Sequence, residues 1–180
     1  MIVVFTGNGK GKTTASIGAA ARAVGRGKRV LMVQFIKGPW KSGEDFINIL
    51  TGENSPAQTK GEFKLVKKGL GFVGILGDTL PREDHAKAAQ EALHYIKEAI
   101  ASKEWDFIIM DEVNVAVSLN LISAEEVLTV LEGFSEEKIL ILSGRGAPEV
   151  FIERADLVTE MKEIKHPYQE GKDALMSVEF

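Results

Sequence analysis

The stretch MIVVFTGNGKGKTT, residues 1–14, decides the fold. Its first five residues are apolar and largely β-branched, the composition of a short buried strand. The next nine, TGNGKGKTT, carry three glycines and end in Gly-Lys-Thr-Thr, after which a helical pattern begins. Alone, such a string is a flexible turn. Between a strand and a helix it is a phosphate-binding P-loop. The backbone N–H groups of Gly7, Asn8, Gly9, Lys10 and Gly11 are then expected to turn inward, joined by the unpaired N–H groups and positive dipole end of the helix. Lys12 brings a point charge to phosphate oxygens, and the Thr13 hydroxyl, with Thr14 beside it, would sit on a bound Mg²⁺. The spacing departs from the usual one. Four residues normally separate the first glycine from the Gly-Lys pair, whereas Gly7 and Gly11 have three between them and Thr6 stands in the first position. A tighter loop that holds its triphosphate differently is expected.

Length and composition bound the rest. A chain of 180 residues with 44% apolar content suffices for one domain spanning 1–180. Net charge of -4 with interspersed signs opposes a broad nucleic-acid footprint and leaves room for a local basic pocket. With no cysteine there are no disulfides, thiolate metal sites or thiol catalysis, which fits a reducing cytoplasm. No apolar run approaches the length of a membrane helix, and no leader pattern precedes the first strand.

Outward from the loop, residues 12–24 form a helix closed by Gly25 and Gly27, with Arg22, Arg26 and Lys28 near its C-terminal end. Residues 29–35, RVLMVQF, are a continuous apolar run of strand length, the mark of a buried parallel strand. A turn-rich connection, IKGPWKSGE, leads to a helical stretch at 44–50, then to a polar loop at 51–61 containing Asn54, Ser55 and Pro56. A short alternating strand at 63–67 precedes GLGFVGILGDTLP, residues 69–81, which either packs over the sheet or forms an apolar lid on a ligand site. A long helix follows at 82–102, with Ala89, Leu93, Ile96 and Ile100 as its apolar stripe. Further strands are expected at 105–111, 138–142 and 157–161, and helices at 124–131, capped by the Ser123–Glu126 box, and at 148–155. Alternating strands and helices imply an α/β fold: a P-loop NTPase-like three-layer arrangement with a mostly parallel central sheet.

Two further places carry chemistry. The strand WDFIIMD ends in Asp111 and Glu112, and in P-loop proteins an acid at such a strand end holds Mg²⁺ opposite the loop threonine. In SGRGAPE, Arg145 stands between two glycines at the C-terminal edge of an open sheet, where ligands bind. A zinc site is not expected: His85 and His94 are nine positions apart on one helix and face opposite ways.

The loop TGNGKGKTT, the run AARAVGRGK, VQFIKGPWKSGE, the strand end DEVN, SGRGAPE and KHPYQEG occur in this order and together resemble the ATP:corrinoid adenosyltransferases. The resemblance covers residues 3–180. It implies that a shortened P-loop holds ATP in a reversed sense, that Co(I) of a reduced corrinoid attacks the ribose C5′, and that tripolyphosphate leaves. It implies Lys12 as a catalytic phosphate contact, Thr13 and Glu112 on Mg²⁺ with Asp111 in support, and Arg22 and Arg145 near the nucleotide. It also implies a corrinoid pocket beginning at Gly71, Phe72 and Val73, where Phe72 helps to strip the axial ligand from cobalt. A flavoprotein-type reductant and a homodimer belong to the same expectation, with no nucleic-acid or membrane partner.

The chain departs from that pattern at Gly74, where a tryptophan is expected, in the length of GILGDTLP, and in the lack of an N-terminal covering segment before the first strand. Two other functions therefore stay open from sequence: a P-loop phosphotransferase or ATPase, and a non-catalytic nucleotide or corrinoid carrier.

Overall fold

The computed structural model of the chain describes residues 1–53, 55, 57, 59–75, 77–167, 171 and 178. Asn54, Pro56 and Leu76, expected in loops, and residues 168–170 of the KHPYQEG stretch lie outside the described residues.

Six parallel strands form one sheet: β1 (Ile2–Thr6), β2 (Arg29–Gln34), β3 (Glu62–Lys67), β4 (Phe107–Asp111), β5 (Ile139–Ser143) and β6 (Leu157–Glu160), in the order β3-β2-β4-β5-β1-β6. The helices are α1 (Lys12–Gly25), α2 (Arg82–Ser102), α3 (Val113–Ser118), α4 (Ala124–Leu131) and α5 (Glu149–Arg154). The chain moves one way across the sheet from β1 through α1 to β2, and back the other way through α2, α4 and α5. Right-handed crossovers then require α1 on one face and the others on the opposite face.

The side chains follow that division with the period of two that a strand imposes. Val3, Val30, Met32, Phe107, Ile109 and Ile141 pack with Ala20 and Val24 of α1. Their alternates Val4, Leu31, Val33, Ile108, Met110, Leu140 and Leu142 pack with Ala89, Leu93 and Ile96 of α2, Val127 of α4 and Phe151 of α5. Three layers result. Both faces of the four inner strands are buried, which is why RVLMVQF and FIIMD are continuous apolar runs rather than alternating ones.

The expected helix at 44–50 is only a 3-10 turn, Gly43–Phe46. Ile47 is already extended, Ile49 O accepts from Phe63 N at 3.1 Å, and Leu50 bridges antiparallel to Glu62, so pairing with the sheet edge competes the helix away. The strand at 63–67 lies at the edge, parallel to β2 in the register Arg29↔Glu62 to Gln34↔Lys67, and is half-buried on both faces rather than alternating. Helix α3 was not expected. Its sequence, VNVAVS, is rich in β-branched residues that favour strands, but Glu112 adopts a left-handed conformation (φ 62°) that turns the chain off β4 directly into the helix.

Candidate active site

Strands β1, β2, β4 and β5 all end at one edge of the sheet, so the residues that follow them meet. The loop after β1 runs directly into α1. Gly11 takes a positive φ of 115° to start α1, and α1 has neither a side-chain cap nor an acid in its first turn. Its first N–H groups therefore keep the unpaired, electropositive character that binds phosphate.

The missing loop residue has a structural counterpart. Thr6 is still strand: its carbonyl accepts from Met161 N at 2.8 Å, and its Oγ1 accepts from Ala147 N at 3.1 Å. Beyond it, Gly9 N donates to Met161 O at 2.6 Å. A Cβ on Gly7 or Gly9 would come within 2.5 or 2.6 Å of that same carbonyl, so the segment after β6 packs directly against the loop and only glycine fits. One loop amide is thus committed to protein, which leaves a shorter cradle.

Lys12 is buried, and its Nζ donates to Gly7 O (2.7 Å) and Gly9 O (2.6 Å) across the loop. Burial pulls its pKa below the ordinary lysine value, and Arg145 adds to this, while Glu112, Asp111 and Glu163 oppose it. The Thr13 hydroxyl donates to Asp111 Oδ1 at 3.0 Å, joining the loop to the end of β4. Asp111 is fully buried and also accepts from Ser143 Oγ (2.6 Å) and Gln34 Nε2 (3.0 Å). Glu112, next in the chain, is turned by its left-handed backbone, a conformation that costs a non-glycine residue on the order of 1 kcal/mol and concentrates at functional sites. Burial, then the neighbouring Asp111, pushes the Glu112 carboxyl up to about 7, against the pull of Lys12, Lys37 and Arg145.

Arg145 joins this cluster. It stands between Gly144 and Gly146, both at positive φ, just past β5. Arg22 does not. It is exposed in the last turn of α1, ten residues and ~15 Å of helix axis from Lys12. Gly71, Phe72 and Val73 lie at the same sheet edge, past β3, in a connection made of bends: Gly71 is buried, Phe72 is about half exposed, and Val73 packs against the core. At position 74, where a tryptophan is absent, a glycine at φ 69° has only open space around it.

Several polar residues of the site escaped sequence reading. Gln34 and Ser143 close apolar strands β2 and β5, and a buried polar residue in the last position of an inner strand was the signal available. Glu44 is fixed between Lys37 Nζ and Gln34 Nε2, so the 3-10 turn is tied to Asp111 through one glutamine. Asn114 donates to Gly144 O at 3.2 Å and braces the Arg145 loop. His85 and His94 stand apart on α2 as their spacing requires, the first buried against Asp78, the second exposed beside Glu98. Among the described residues no three acids or histidines cluster as an all-protein metal cage, and no helix is long and apolar enough to cross a membrane.

Comparison with known proteins places this arrangement. The family model for ATP:corrinoid adenosyltransferase BtuR/CobO/CobP matches residues 1–180. Among curated relatives, the corrinoid adenosyltransferase of Escherichia coli K12 is 36% identical over 180 residues, covering all of this chain and 85% of the relative. Corrinoid adenosyltransferase CobA of Salmonella typhimurium LT2 has the same identity and coverage. A corrinoid adenosyltransferase from Sinorhizobium is 37% identical over 185 residues, with 80% of its length covered. The chain belongs to the ATP:corrinoid adenosyltransferase family.

Proposed function

We propose that this protein transfers the 5′-deoxyadenosyl group of ATP to the Co(I) of a reduced corrinoid. The observation that carries the reading is the meeting of Lys12, Thr13, Asp111, Glu112 and Arg145 around a shortened P-loop, in a chain of this family. In the reaction the cobalt lone pair forms the bond to C5′, the C5′–O bond breaks, and its electron pair departs with the whole tripolyphosphate while cobalt becomes formally Co(III). Co(I) carries no proton to remove, so the protein's task is alignment and charge stabilisation rather than general base catalysis. The Lys12 ammonium, the N–H groups at the start of α1 and the Arg145 guanidinium act on the departing phosphates. Oxygen nucleophile and proton acceptor are absent from this scheme.

The acids fit a divalent cation held jointly with phosphate oxygens. Two carboxylates, Asp111 and Glu112, stand side by side with the Thr13 hydroxyl, and a glutamate held near neutral pH by burial and a like charge is one that a cation would ionise. Gln34 Oε1, buried next to Asp111 and without a partner among the described residues, is an acceptor suited to metal-bound water. Mg²⁺ there would neutralise charge gathering on the leaving group. Thr13 and Glu112 would hold it; Asp111, already accepting from three donors, would orient Thr13.

The corrinoid lies over Gly71, Phe72 and Val73, with Phe72 pressing on the side of the macrocycle from which an axial ligand must leave before reduction by a flavoprotein-type donor. Between the loop after β1 and the connection after β3 lie four strand spacings, ~19 Å, room for an extended nucleotide to bridge the two. Anaerobic incubation with ATP, Mg²⁺ and borohydride-reduced cobalamin is expected to yield a light-sensitive alkylcobalamin. No such product would overturn the reading.

A further inference from the structure

Trp40 is one of two tryptophans in the chain, and it is 64% exposed. The other, Trp105, is buried beside the start of β4, at the opposite edge of the sheet, under Arg29. An exposed indole in a soluble fold leaves a large apolar surface in water unless something covers it.

The structure fixes Trp40 with some care. Its carbonyl accepts from Lys67 Nζ at 3.0 Å, and Lys67 also binds Ser42 Oγ at 3.0 Å and Asp45. The connection after β3 approaches the connection after β2 so closely that Gly69 and Gly38 have no space for a side chain: a Cβ on Gly38 would lie 2.6 Å from Gly71 N. Gly71 N donates to Ile36 O at 2.9 Å, and the indole covers Gly71, where a Cβ would strike its six-membered ring. Two loops are thereby zipped together, and the zip sets Trp40 beside Phe72 with ring centroids 6.2 Å apart and planes tilted by 34°. Both rings keep their outer faces open. The pair belongs to a wall rather than to the core.

We infer that Trp40 and Phe72 together form the aromatic wall on which the flat corrin macrocycle rests, and that Trp40 is a corrinoid-contacting residue that sets corrinoid affinity. The inference rests on the placement of the corrinoid at Phe72 proposed above. A flat, largely apolar ring with a polar rim suits two adjoining aromatic faces at the ligand-bearing edge of the sheet, and the open space at Gly74 leaves Phe72 without any aromatic neighbour on its own loop. Trp40 reaches it instead from the β2 connection. That same connection runs on to Glu44, whose bonds through Gln34 end at Asp111, so the wall is tied to the phosphate end of the site.

The test is steady-state adenosylation of borohydride-reduced cobalamin with Mg²⁺-ATP by W40A, W40F and F72A, alongside thermal melting. W40A is expected to raise the KM for cobalamin by about tenfold, the scale of one aromatic contact, with KM for ATP within about twofold of wild type, and W40F is expected to recover most of the loss. If F72A raises the cobalamin KM and W40A does not, the assignment of Trp40 is overturned and the pocket stands. If neither does, the placement of the corrinoid at Phe72 fails, and the inference with it. If W40A moves both KM values together and lowers Tm, Trp40 is a structural strut and the inference is overturned. Should W40A fail to fold, W40L, which keeps apolar bulk without an aromatic face, carries the same comparison.

Discussion

Lys12 is a buried cation where the P-loop meets the end of β4. It donates to two loop carbonyls and faces Asp111 and Glu112. Lys12→Ala removes the cation while leaving the aromatic wall intact. Turnover is expected to fall by about 10²-fold or more, the scale seen when one stabilising donor is lost, with cobalamin binding largely unchanged by titration; unaltered turnover would refute the role. Glu44 allows a pH prediction. Burial alone would raise its carboxyl, but Lys37 beside it, its own turn of backbone and Gln34 outweigh this and hold it at about 2. Because that value lies below the unfolded one, the stabilisation is present above pH ~4.5 and is lost as pH falls toward 2. Glu44→Gln should lower Tm by several degrees at pH 7, and the gap to wild type should narrow in melts taken at successively lower pH below 4.5. A gap independent of pH would show that the ion pair contributes nothing.

At the scale of elements, the parts with strong local patterns were legible in the sequence. Helix α2 is found at residues 82–102 as its apolar stripe requires, and the Ser123–Glu126 box caps α4 with Glu126 N donating to Ser123 Oγ at 3.1 Å. The P-loop could be recognised because glycine and lysine positions report backbone geometry directly. What remained hidden depended on tertiary partners: the 44–50 segment gave up its helix to pair with β3, α3 owes its start to the strained Glu112, and Gln34 and Ser143 are ordinary residues until β2, β4 and β5 align their ends on Asp111. Arg22 shows the converse, a charge whose place in the last turn of α1 sets it apart from Lys12 at the start of that helix. The contact of the loop with the segment after β6 also needed three dimensions. It yields a prediction for Gly9→Ala, whose Cβ would meet Met161 O at 2.6 Å and the Lys162 backbone at 2.8 Å. The variant should melt several degrees lower and show a raised KM for ATP with little change for cobalamin; a wild-type melt and KM would mean that this contact does not shape the loop.

For the whole molecule, the strand order explains why one edge can serve two ligands of different character. Moving from β1 to β2 skips two positions that β4 and β5 later fill, so the anion-binding loop and the aromatic connections stand apart with Asp111 and Ser143 between them. The P-loop end is lined by Lys12, Thr13 and Asp111; the other end presents the exposed rings of Trp40 and Phe72 on a framework braced by the Lys67–Asp45 and Lys37–Glu44 ion pairs. That polarity suits a reaction in which the nucleophile approaches from one side and an intact triphosphate leaves toward the other. It also separates this chemistry from phosphoryl transfer, which the same loop could support and which would break a different bond. The decisive measurement is ³¹P NMR of the products after ATP, Mg²⁺ and borohydride-reduced cobalamin are incubated with the protein. Tripolyphosphate formed in step with the cobalt–carbon product is the predicted result; ADP and inorganic phosphate in its place would contradict the account.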